Sequence, residues 1–254
     1  MGASRGLSPA QTTAPEADPV RLAGPTGGTR HVMWSVPTDV PQAALTFDDG
    51  PDPEFTPAIL DALAAAGVKA TFMVMGHNAV RHPHLLRRVV ADGHELGNHT
   101  WSHLDLSALA PADVLAEVER GSQAIEDVVG IQPKLFRPPK GIMSEAALQA
   151  AAMAGQDIVI WSVSRGGLGI DQAAGVAEAV DGALGSGDII GLHDGTGRGT
   201  FNPEAEFTHR IKARRRIEVR ALPLILQKAS ARGMALGTVS ELVAAAGGKP
   251  CEGA

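Results

Sequence analysis

The chain has 254 residues and a formal net charge of −6, from 22 Lys and Arg against 28 Asp and Glu. That balance excludes general nucleic-acid binding, which needs a basic surface, while 44% hydrophobic and 20% charged residues suit one large domain with a substantial core. The single cysteine, Cys251, excludes an internal disulfide, and no apolar run is long enough to span a membrane.

Residues 1–29 are rich in Pro, Ala, Thr and Gly, bury too little apolar surface to order themselves, and read as a flexible leader. No basic-then-apolar signal peptide opens them. A remnant left after trimming of such a signal is favoured over a native cytoplasmic tail, which leans the location to secreted or cell envelope. Residues 30–246 read as one catalytic domain and 247–254 as a C-terminal tail.

Within that domain short apolar runs alternate with amphipathic segments. Ala43–Phe47 reads as a buried strand stopping at Asp48-Asp49-Gly50-Pro51, and Glu54–Ala66 as a helix with Gly67 as its stop. Ala70–Met75 is strand-like, His84–Ala91 helical and Glu95–Asn98 a short strand, with His94 as a turn residue before it. Pro111–Val129 is a long helix with Val114, Leu115, Val118, Ile125 and Val128 on one stripe. Then come a strand at Lys134–Arg137, a helix capped by Ser144 to Met153, a strand at Ile158–Trp161 and a helix at Asp171–Leu184. Asp188–Leu192 is a strand, Val219–Ala231 a helix, Met234–Thr238 the last strand, and a short helix starts at Ser240. About seven strand–helix units imply a mainly parallel α/β sheet, open or closed as a barrel. In such barrels chemistry sits at the C-terminal strand ends, where the polar clusters fall.

Asp48 and Asp49 are adjacent carboxylates at a strand end. A metal ion relieves the charge repulsion for one and leaves the other as a base; an Asp-Gly turn is the plainer alternative. His99 and His103 stand at i and i+4, a spacing that on a helix grips one ion, and that also suits a satisfied histidine pair. Two histidines and one carboxylate make a facial set with open positions, used by zinc hydrolases and some iron enzymes. Arg137 ends a strand before Pro138-Pro139-Lys140-Gly141, a place from which it can orient a carboxylate, though a surface arginine before a proline turn is the commoner case. His193 follows a buried strand and has the range to protonate a leaving amine; a strand-end histidine bound to backbone is the equal alternative.

In this order the motifs Thr-Phe-Asp-Asp-Gly-Pro (46–51), His-Thr-x-x-His (99–103), Arg-Pro-Pro-x-Gly (137–141) and Leu192-His193 resemble those of the NodB-homology polysaccharide deacetylases, carbohydrate esterase family 4. The resemblance spans roughly residues 40–243. It implies a distorted (β/α)7 barrel. It implies Asp48 as catalytic base, Asp49, His99 and His103 as metal ligands, Arg137 as the residue orienting the base and His193 as general acid. Pro139, Lys140, Trp161 and Leu192 then fall at substrate-binding positions. The implied cofactor is a divalent metal, zinc first, with cobalt, nickel or manganese as the other candidates. The implied partner is an N-acetylated amino-sugar polymer or oligomer, chitin or peptidoglycan, losing its acetyl groups. An oxyanion would be held by a backbone N–H just after position 140.

Two positions depart from the family. Lys140 stands where an aromatic residue is usual, and the chain has no tyrosine. Where the fourth motif carries an aspartate and a tryptophan, this chain has Gly167-Leu168; Asp171 and Asp194 are the candidates to serve His193 instead. The same chemistry on a small amide or biosynthetic intermediate, and a non-catalytic carbohydrate-binding protein, are the alternative readings. Gly195–Pro203 reads as a surface loop or a substrate loop. The basic run at 209–216 reads as a solvated helix face, or as an attractor of anionic polymer.

Overall fold

The computed structural model describes residues 20–23, 29–167 and 169–248. Val20–Ala23 (β1) pairs antiparallel with Thr29–Met33 (β2), so the segment expected as a leader contributes a strand. Its residues 1–19 and 24–28 lie outside the described residues, as do 249–254 of the expected tail.

The domain then alternates: Gln42–Asp48 (β3), Thr56–Ala66 (α1), Thr71–Val74 (β4), Gly76–Arg81 (α2), Pro83–Ala91 (α3) and Glu95–Asn98 (β5). Pro111–Val129 (α4), Leu135–Phe136 (β6), Glu145–Met153 (α5), Asp157–Val159 (β7) and Val163–Ser164 (β8) follow. Ala173–Ala183 (α6), Ile189–His193 (β9), Glu206–Ala231 (α7), Ala235–Gly237 (β10) and Val239–Ala245 (α8) complete it. The local signals act as expected. Gly67 ends α1 at φ 66°, and the Ser144 hydroxyl accepts from the Ala147 N–H to start α5.

The sheet order is β1-β2-β7-β6-β5-β4-β3-β9-β8, with β10 beside β3, and every pair other than β1–β2 is parallel. The chain leaving β7 beside β2 joins β9 as β8 only four residues later, and Ser35 bridges Asp188. These links curl the sheet into a distorted α/β barrel, as the family resemblance implied, where the alternation of elements left the sheet open or closed.

Alternation along each strand decides what the interior holds. On β3, Ala43, Leu45 and Phe47 join the apolar layer beneath α1, α6 and α7. Ala44 faces inward with Met73, Leu135, Val159 and Ile189, and Val239 and Leu242 of α8 close that end. Further along the same inward row stand Thr46 and Asp48, both buried. The interior is therefore apolar at one end and polar at the C-terminal strand ends, where the loops gather. No helix among the described residues is long and apolar enough to cross a membrane.

Candidate active site

Asp48 is the last residue of β3, and Asp49 turns the chain with φ 81°. The turn is fixed from several sides. The Asn78 amide donates to the Asp49 carbonyl at 2.8 Å, and the Gly50 N–H donates to Asp194 Oδ1 at 3.0 Å. Gly195 is needed beside it, since a Cβ there would stand 2.3 Å from the Asp49 carbonyl oxygen.

Arg137 leaves the end of β6 and runs fully buried across the interior. Its Nη1 donates to Asp48 Oδ1 at 2.5 Å and to the Thr46 hydroxyl at 2.8 Å. Its Nε and Nη2 donate to the Val159 and Ile160 carbonyls at 2.9 and 2.8 Å. A buried guanidinium with this many acceptors is a fixed donor rather than a mobile charge.

His99 and His103 do not share a helical face. Both lie in the loop after β5, where Thr100 and His103 have φ 67° and 57°. The loop is anchored to α4: the Asn98 side chain accepts from the Thr100 N–H, and Glu117 accepts from both the N–H and hydroxyl of Ser102. Gly121 makes room for this approach, for a Cβ there would come 2.3 Å from Asn98 Oδ1. Asp49, Thr100, His103 and Lys140, the non-glycine residues with positive φ among those described, all lie in the loops around one cavity. Each costs about 1–2 kcal/mol, and such conformations gather at functional sites.

The turn brings three ligand atoms together. Asp49 Oδ1 lies 3.6 Å from His99 Nε2 and 3.2 Å from His103 Nε2, and it is buried without a hydrogen-bond partner. Asp49 Oδ2 is engaged by Arg215 at 3.2 Å. His99 Nδ1 faces the Arg137 carbonyl at 2.7 Å, which fixes the proton there and leaves Nε2 as a lone pair. Burial, reinforced by His103, pushes the His99 imidazole down to about 4 against the pull of Asp48 and Asp49. Burial alone would raise the Asp49 carboxyl, but His103 and Arg215, with His193 and His99, outweigh it and hold it well below the usual carboxylate range. An ionised carboxylate with an unpartnered oxygen and a neutral imidazole are the forms that bind a metal, and the donor set fits a divalent ion.

The surrounding cavity, about 270 Å³, is lined by Asp48, Asp49, His99, His103, Lys140, Trp161 and His193. Trp161 lies against β9 because Gly191 has no side chain; a Cβ there would meet the ring at 2.9 Å. Pro139 is buried outside the lining, and Leu192, also fully buried, faces the helix layer instead of the cavity. Strand alternation explains Leu192: its neighbour His193 takes the inward side. The Gly141 N–H, expected at the oxyanion, donates to the Pro138 carbonyl at 2.9 Å.

Neither candidate carboxylate serves His193. Asp171 is exposed. Asp194 accepts from Gly50 and, at 2.7 Å, from Thr56, and burial pushes it up to about 8. His193 Nδ1 instead lies 3.0 Å from Glu218 Oε2 on α7. That helix begins at Glu206 rather than Val219 and includes the basic run. Most of the run is a solvated face, with Arg216 paired to Glu54 and Arg210 to Glu206, while Arg215 turns inward to Asp49 and Glu218. An Arg-x-x-Glu spacing on a helix was the one available sign of that inward pair. The glycine-rich loop forms a wall of the site: Gly197 packs on Asp49 and His103, and Arg198 donates to the Ser102 carbonyl.

Residues 35–159 match the family model described as polysaccharide deacetylase. The chain is 36% identical over 220 residues, 85% of its length and 94% of the relative's, to a peptidoglycan-N-acetylglucosamine deacetylase of Bacillus cereus. It is 43% identical over 159 residues, 62% of its length and 74% of the relative's, to a chitooligosaccharide deacetylase of Sinorhizobium fredii. Among solved structures, the Bc1960 peptidoglycan N-acetylglucosamine deacetylase superposes with a TM-score of 0.71 at 31% identity, covering 82% of this chain and 91% of that one.

Proposed function

The chain belongs to the polysaccharide deacetylase family, and from that premise we propose that it is a metal-dependent N-deacetylase acting on N-acetylglucosamine units of peptidoglycan or chitin oligomers. The observation that carries this reading is one cavity in which Asp49 Oδ1 and two imidazole nitrogens converge beside a second carboxylate, Asp48, which is bound by Arg137.

Asp49, His99 and His103 would hold the ion. When bound, a divalent ion, zinc first and cobalt, nickel or manganese as the other candidates, polarises the acetamide carbonyl and lowers the pKa of water. Asp48 accepts the proton of the attacking water. Arg137 aims that carboxylate by holding one oxygen and leaving the other free for the water. His193 donates a proton to the departing sugar amine as the C–N bond breaks. Trp161 offers an apolar wall to the sugar, and Lys140, at the position where an aromatic residue is usual, offers a cation paired with Asp105 at 3.1 Å. Peptidoglycan as the substrate favours a secreted or cell-envelope location.

The test is acetate release by protein stripped of metal and reloaded with zinc or cobalt, on chitin oligomers and on peptidoglycan. Metal-dependent release from either supports the reading and identifies the preferred polymer. Metal-loaded protein that releases acetate from neither contradicts it.

A further inference from the structure

The carboxylate that the family's fourth motif supplies is missing at Gly167, yet His193 is not left without a partner. Glu218 Oε2 lies 3.0 Å from His193 Nδ1, and its side chain is 1% exposed. Its other oxygen accepts from Arg215 Nη1 at 3.1 Å and is ion-paired with Arg165 Nε, 3.0 Å away but not aligned as a hydrogen-bond donor.

Each arginine is itself fixed. Arg165, in the segment of the fourth motif, donates from Nη2 to the Ile170 carbonyl at 2.9 Å. Arg215 donates from Nε to the Gly195 carbonyl at 2.8 Å and from Nη2 to Asp49 Oδ2 at 3.2 Å. Arg215 and Glu218, three residues apart, project from the same face of α7. A buried carboxylate facing histidine alone would tend to protonate. Burial does raise Glu218, but His193, Arg215 and Arg165 outweigh it and hold the group below its ordinary range.

We propose that Glu218, clamped by Arg165 and Arg215, is the positioning carboxylate of His193, so that α7 supplies what the altered fourth motif has lost. The motif segment contributes a cation where the family has an anion, and the anion comes from Glu218 on α7, 25 residues beyond His193. With Glu218 accepting at Nδ1, that nitrogen keeps its proton and Nε2 is the nitrogen that gives its proton to the leaving amine. Arg215 also ties this unit to the metal ligand Asp49, so proton donor and metal site share one rigid frame. The inference rests on the reading of His193 as the proton donor in amide hydrolysis.

The experiment compares wild type, Glu218→Gln and Glu218→Asp, each zinc-loaded with its zinc content measured. The substrates are a chitin oligomer and 4-nitrophenyl acetate, whose leaving group needs no proton. Glu218→Gln is expected to lower kcat on the oligomer by about 10²-fold with little change in KM, and to exceed its loss on the ester by at least about tenfold. Glu218→Asp is expected to recover part of the loss. Equal losses on both substrates, or an unchanged oligomer rate, would overturn the proposal. A wild-type enzyme inactive on the oligomer would overturn the underlying deacetylase reading instead. Should the variants not fold, histidine ¹⁵N NMR on zinc-loaded wild type decides. The neutral His193 ring, assigned by its loss in His193→Gln, is expected protonated at Nδ1; protonation at Nε2 overturns the proposal.

Discussion

Arg137 Nη1 meets Asp48 Oδ1 at 2.5 Å inside the barrel, with the arginine fully buried and its remaining nitrogens spent on the Val159 and Ile160 carbonyls. The pair thus links the carboxylate end of β3 to the strand-end backbone on the far side of the interior. Arg137→Lys keeps the charge but loses the fork that reaches both carbonyls. We expect it to destabilise the fold by about 3 kcal/mol and to lower kcat. Urea unfolding of the two proteins checks this; equal midpoints and slopes would show that the fork is dispensable.

The loop that carries His99 and His103 depends on α4 through Gly121. A methyl at that position would sit 2.7 Å from the Thr100 carbonyl carbon as well as against Asn98. Gly121→Ala should therefore shift the loop, lowering stability by about 1–3 kcal/mol and zinc affinity by about tenfold. Competition with a chelator measures the second effect. An affinity equal to wild type would mean that the histidines are held by something other than this contact.

Much of the frame was legible because its signals are local. Pro111–Val129 carries its own apolar stripe and ends at Gly130 with φ 73°, so both bounds could be read from the sequence. The missed α2 is six residues long and has no side-chain cap at Met75. The basic run 209–216 reads as a helix face, but its continuity with Val219–Ala231 and the inward turn of Arg215 and Glu218 do not show, because a hydrophobic period cannot register a buried ion network. The His99–His103 spacing suggested a helix, yet the loop is shaped by Asn98 and Glu117, whose contacts reach across the fold. Leu192 followed the family position, while strand alternation turns it into the helix layer. Glu218 was beyond reach because only the return of α7 over β9 brings it to His193.

His94 accepts from the Ala70 N–H at 3.2 Å and packs edge-on to Phe72. Burial, helped by Lys69, pushes its imidazole down to about 4 from 6.5. Between these values the unfolded chain binds a proton that the folded chain refuses. Its contribution is therefore whole above pH 6.5 and is lost as pH falls toward 4. His99 contributes in the same direction. His94→Asn retains an acceptor without the titration, so the fall in Tm between pH 6.5 and 4 should become shallower. An unchanged slope would remove His94 from the acid sensitivity of the fold.

We propose a division of labour between the adjacent carboxylates, in which Asp49 would hold the metal and Asp48 would take the proton. Asp48→Asn preserves the side-chain shape and removes the base. Zinc content and acetate release, measured on the same preparations of wild type and variant, test this most directly. One zinc per chain in both, with acetate release lost by about 10²-fold or more in the variant, is the predicted result. A zinc-loaded Asp48→Asn enzyme that releases acetate at the wild-type rate would contradict it.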